Sequence, residues 1–157
     1  MGKMASSFLF IQFEIYKKGS VCFMFELINI DERMMDRDIE MRNTVTNTLE
    51  VCFDNSIGYS DNNFSFMKTG FKYECKILLV GDQLKEATKD TVKFLLAKDW
   101  LVCIKNNQFI RVLLDKDEYY IHYDGLIINN DDEYILFDYF RKDLLEVNGQ
   151  VSPIYSN

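Results

Sequence analysis

His122 is the only histidine of the 157-residue chain, and imidazole is the side chain whose ordinary pKa lies closest to neutrality, so proton-transfer chemistry would begin there. On a strand spanning Glu118 to Asp124, period-two alternation places Glu118, Tyr120, His122 and Asp124 on one face and Tyr119, Ile121 and Tyr123 on the other. A carboxylate near His122 could then steer it as a general base acting on a small molecule. Spacing supplies no second catalytic group, and a strand histidine needs no catalytic role. The four cysteines, Cys22, Cys52, Cys75 and Cys103, are 30, 23 and 28 residues apart, each within an apolar run. That pattern lacks the short C-x-x-C clips of zinc sites and suits reduced, buried thiols.

Oxygen ligands are plentiful at Asp115-Lys116-Asp117 and Asn129-Asn130-Asp131-Asp132. A calcium loop beginning at Asp115 needs Gly in sixth place and Glu in twelfth, where Tyr120 and Leu126 stand. Turn formation by Asx side chains explains these runs, and neither a metal nor another cofactor is expected. Gly81 stands alone rather than in a phosphate-cradling loop, and zinc-protease and serine-nucleophile motifs are absent. Met1-Gly2-Lys3-Met4-Ala5-Ser6 meets the permissive N-myristoylation pattern, and Asn63-Phe64-Ser65 is a glycosylation sequon. Neither carries a function: with no secretory leader or apolar membrane span in view, the expectation is a cytoplasmic protein without a membrane partner.

Charge is more informative. The chain has 25 acidic and 18 basic residues, a formal net charge of −7. Between Asp115 and Glu146 stand ten acids against three bases, so this stretch holds the whole imbalance. It also holds five of the nine tyrosines: Tyr119, Tyr120, Tyr123, Tyr134 and Tyr139. Carboxylates among polar-tipped aromatics would repel phosphate, speed encounter with a basic protein and disfavour direct nucleic-acid binding. A solvated sheet face with acidic loops has the same composition.

These residues need elements to hold them. The reading is a single α+β domain, largely antiparallel. An N-terminal hairpin over Leu9–Ile15 and Val21–Ile30 turns at Lys17-Lys18-Gly19-Ser20. Residues 32–42 fit a short helix or a loop equally well, since Met35 and Ile39 are helically spaced while Glu32–Asp36 and Arg33–Arg37 repel. A strand over Leu49–Phe53, a loop over Asp54–Asn63 and a strand over Gly70–Val80 follow. One principal helix is expected near 82–98, capped by Asp82, with Leu84, Ala87, Thr88, Thr91, Val92 and Leu95 as its apolar stripe. Beyond Trp100 comes an antiparallel meander that turns at Asp124-Gly125 into Leu126–Asn129 and passes through Asn130–Asp132 into a strand over Glu133–Phe140, then a helical turn at Lys142–Val147 and a frayed tail over 148–157.

The expected function is inhibitory binding without catalysis. An acidic, tyrosine-rich surface neutralises a basic protein partner, as an immunity protein blocks a bacterial nuclease-type toxin whose active site must be cationic to hold phosphates. The partner-binding residues are Glu118, Tyr120, Asp124, Asp131, Asp132 and Glu133, with Tyr120 as aromatic anchor. The alternatives are a small-molecule enzyme using His122 with a nearby carboxylate, and a viral or scaffolding protein that self-associates.

Overall fold

Alternation of buried and open side chains, the signature of half-buried strands, runs through most of the computed structural model, which describes residues 23–156. The described residues form nine strands: β1 Met24–Glu32, β2 Arg37–Asn43, β3 Leu49–Asp54, β4 Lys72–Gln83, β5 Val92–Ile104, β6 Asn107–Leu114, β7 Asp117–His122, β8 Tyr134–Val147 and β9 Gln150–Val151. Two single 3-10 turns, Ser56–Gly58 and Pro153–Tyr155, complete them, and no α-helix occurs among the described residues. The α+β expectation is therefore wrong; the fold is nearly all sheet. No helix among the described residues is long and apolar enough to cross a membrane.

The helix expected over 82–98 fails for three local reasons. Gly81 does not stop β4: it seats a bulge between Val80 and Gly81 where β8 passes so close that a Cβ would lie 2.0 Å from the Asp138 carbonyl oxygen. Asp82 sits opposite Asp138 across the β4–β8 ladder instead of capping a helix. Thr88 and Thr91, assigned to the helical stripe, bond each other across a turn, with the Thr88 N–H donating to Thr91 Oγ1 at 2.7 Å. Val92, Phe94 and Leu96 then resume period two in β5, where β-branched and aromatic residues fit better than in a helix.

Residues 32–42 are neither helix nor loop but the end of a β1–β2 hairpin, with Ile30 opposite Ile39. Arg33 holds the turn through Asp36 at 2.5 Å and Asp38 at 3.0 Å. The helical turn expected at Lys142–Val147 is the last half of β8. Of the expected N-terminal hairpin, only residues from Phe23 onward fall among those described. The expected tail is docked: β9 pairs with β8, and Val151, Ser152 and Pro153 are buried.

The strands hydrogen-bond in two circuits that share the antiparallel β4–β8 pair. One passes from β4 through β7, β6 and β5 to β8; the other passes through β1, β2 and β3 and reaches β8 by one parallel bridge, Phe53 to Asp143. Closure of this kind removes exposed sheet edges. A principal core fills the inside, with Leu27, Ile39, Met41, Cys52, Phe94, Ile110 and Val112 wholly buried. A second cluster, Leu78, Ile104, Phe109, Tyr120, Leu145 and Val151, lies beneath the C-terminal segment.

Polar side chains tie the circuits together. Glu50 on β3 accepts from the Tyr119 hydroxyl at 2.5 Å and from Lys142 Nζ at 2.7 Å, joining β3, β7 and β8. Asp117 accepts from Thr46 and Thr48, each at 2.6 Å. Deeper still, Arg37 meets Asp54 at 2.8 Å with both side chains at most 2% exposed, and Arg37 also donates to the Phe64 carbonyl. Such a pair adds little against an apolar substitute, but removing one partner costs about 3–5 kcal/mol because the other charge is left buried.

Candidate functional site

The ten acids between Asp115 and Glu146 divide by the strand they stand on. Within strands the fold consumes most of them: Asp143 is paired with Arg141 at 2.6 Å, Glu146 with Lys76 at 2.5 Å, and Asp117 with the two threonines, while Asp138 stays open. The connection from Asp124 to Glu133 behaves differently. Residues 124–140 contain five acids and no lysine or arginine. Among the described residues, Asp82, Asp131, Asp132, Glu133 and Asp138 make no ion pair, and all but half-buried Asp132 are exposed.

Local bonds hold this connection in place. The Gln83 amide grips Ile127 in both directions, donating to its carbonyl at 2.9 Å and accepting from its N–H at 2.8 Å. Asp132 accepts from the Asn129 N–H at 2.8 Å, a side-chain bond reaching back across the turn that orients the Asp131–Glu133 end. Asp82 and Asp124 border the same groove of about 270 Å³, together with His122 and Tyr155. Asp82 and Asp138 face each other directly, an arrangement that costs stability unless a cation joins it. Tyr134, next to Glu133, is 46% exposed with Lys93 Nζ 4.2 Å from its ring centroid, and Ile127 is also exposed. Asp124, Asp131, Asp132, Glu133 and Tyr134 thus belong to one connection and the strand end that follows it.

Glu118 and Tyr120 do not join them. Alternation on β7 is as expected, but both faces are covered, because the C-terminal segment lies over the one meant for solvent. Tyr120 is buried in the second cluster. The Glu118 side chain is 8% exposed, 4.0 Å from Arg111 Nε, and hydrogen-bonded to the Tyr120 hydroxyl. Burial pushes its carboxyl up to about 7, opposed by the Tyr120 bond. Burial and the facing Glu118 carboxyl raise the Tyr120 phenol well above its ordinary value.

Both residues line a cavity of about 120 Å³ with Phe23, Phe25, Glu74, Lys76 and Glu146. It lies where β4 leaves β1 at Glu74 and meets β7 at Leu78. Sequence spacing missed this site because Lys76 and Glu146 are 70 residues apart and meet only through the β4–β8 register.

His122 stands beside Asp124 rather than Glu118. The Asp124 N–H donates to His122 Nδ1 at 3.2 Å, and Nε2 faces Asn107 Oδ1 at 3.5 Å. Both ring nitrogens are thus engaged in local contacts that fix the orientation of the ring. Its nearest carboxylate is Asp124, at 3.7 Å, while Glu118 is turned to Tyr120 and Arg111. Burial raises the thiols too, Cys75 to about 12 and Cys52 well above its ordinary value, which leaves both inert as nucleophiles at neutral pH. No group of three or more metal-ligating side chains occurs among the described residues. Comparisons with protein-family models, curated proteins and solved structures find no match.

Proposed function

We propose that the protein binds, without catalysis, a basic surface of another protein through the acidic connection between β7 and β8. An immunity-type inhibitor covering the cationic, phosphate-holding region of a nuclease-type toxin is the kind of pairing this chemistry suits. The observation that carries the reading is the unpaired, solvent-facing state of Asp131, Glu133, Asp138 and Asp82 beside exposed Tyr134 and Ile127. Tyr134 replaces Tyr120 as the aromatic anchor, because Tyr120 is buried. Glu118 leaves the contact set for the same reason.

The test is capture of partners from source lysate at low salt, identification of a cationic protein, and kinetics with the purified pair. Asp131→Lys with Glu133→Lys should slow association about tenfold at low ionic strength and flatten its salt dependence, with the fold unchanged. Association by the double variant at the unaltered rate would sink the proposal.

A further inference from the structure

We propose that the cavity where β4 passes from β1 to β7 binds the ammonium group of an alkylamine, either a free amine or a lysine side chain. Among the described residues, the site is a break in the sheet. On that edge, β4 pairs with β1 through Glu74 and with β7 from Leu78. Between these pairings, about 120 Å³ of space remains among Phe23, Phe25, Tyr120 and the charged groups.

Those charged groups come from four strands: Glu74 and Lys76 from β4, Arg111 from β6, Glu118 from β7 and Glu146 from β8. Among the described residues, three carboxylates and two cations meet at this site. The chain itself shows what the cavity accepts, since the Lys76 ammonium lies 2.5 Å from Glu146 and 5.9 Å from the Tyr120 ring centroid. Carboxylate plus aromatic face is the chemistry that recognises an ammonium ion.

Glu118 is the carboxyl left for a second ammonium. Its side chain is 8% exposed and its nearest cation, Arg111 Nε, stands at the 4.0 Å limit of an ion pair. With its carboxyl near 7, an arriving ammonium displaces a proton, so affinity should fall on acidification. The aromatic walls suit a short alkyl chain behind the charged head.

The test is an NMR titration of the full chain with n-butylammonium chloride at pH 8 and pH 6, with 1-butanol and matched sodium chloride as controls. Expected at pH 8 is saturable movement of the Lys76, Tyr120 and Gly149 signals, weakening by close to tenfold at pH 6. Glu118→Gln should weaken binding at least tenfold and abolish its pH dependence, while Lys76→Ala should tighten it by freeing Glu146. Nα-acetyl-lysine methylamide separates the sources: binding by it points to a lysine side chain, and binding by butylammonium alone points to a free amine. Absence of saturation with both amines, equal binding of 1-butanol, or equal affinity at the two pH values would overturn the proposal. Should Glu118→Gln fail to fold, the pH and butanol arms on the unaltered chain decide. The site is independent of the acidic connection, so Asp131→Lys with Glu133→Lys should leave butylammonium binding intact.

Discussion

At the residue scale, Glu118 shows how far one carboxyl can be from its expected role. Spacing on β7 assigns it to solvent, where it would meet a basic partner; the fold buries it against Tyr120 and Arg111. The consequence is a stability effect of definite sign. An acid raised from about 4.5 to about 7 binds its proton more tightly in the folded chain than in the unfolded one. Its contribution therefore falls as pH rises between those values and is constant above. Glu118→Gln keeps the shape and removes the charge. The stability difference, variant minus unaltered chain, should be near zero at pH 4.5 and approach about 3 kcal/mol in the variant's favour by pH 8. Urea unfolding across that range measures it, and parallel pH profiles for the two proteins would refute the assignment. Asp124, Asp131 and Glu133 stand on the connecting segment where Asn, Asp and Gly place them, so their exposure was legible from local chemistry. Glu118 was not, because the groups around it, Lys76, Arg111 and Glu146, come from other strands and meet it only through the sheet register.

At the element scale, the decisive residue is Gly81. Read locally, a glycine followed by Asp and a periodic apolar stripe announces the start of a helix. The fold uses the missing side chain for a close approach, with β8 backbone atoms where a Cβ would stand. Gly81→Ala must push the two strands apart at the bulge. It should cost about 2–4 kcal/mol, with lost amide-exchange protection spreading first to Asp82 and Gln83. A urea midpoint equal to that of the unaltered chain would show that the bulge relaxes freely. The error over 82–98 has a physical origin: Leu84, Thr88, Thr91 and Leu95 fit the helical period, yet β4 and β5 flank β8 and gain more by pairing with it. Two-residue turns are harder to place. Asn148-Gly149, with φ of 50° and 81°, closes a hairpin between β8 and β9 inside the segment expected to be a frayed tail. Asp124-Gly125 has the same lettering, but no strand follows it, and the connection runs on to Glu133.

At the scale of the whole molecule, two circuits of strands on one shared pair produce both candidate sites. Where β4 changes partner, a cavity opens; where β7 must travel to β8, a long acidic connection crosses the outside. The connection is visible in composition as an acidic stretch, but the cavity is not, because it arises from pairings between residues far apart in the chain. The same closure explains why the C-terminal residues are structural. Ser152 N donates to the Leu145 carbonyl at 2.8 Å, Tyr155 stacks edge-on to Phe109 at 5.8 Å, and Asn107 donates to the Tyr155 carbonyl at 3.2 Å. Together they roof Leu78, Phe109, Tyr120 and Leu145, which would otherwise form a water-facing apolar patch on the outer side of the sheet. Ending the chain at Asn148 removes the Val151 side chain and uncovers that patch, at about 1.5–3 kcal/mol for each large apolar group returned to water. The truncated protein should lose about 3–5 kcal/mol in urea unfolding and bind a hydrophobic dye that the full chain excludes. A truncated chain with unchanged midpoint and no dye binding would mean that the outer face of β7 needs no cover, and the account of why Tyr120 is buried would fail with it.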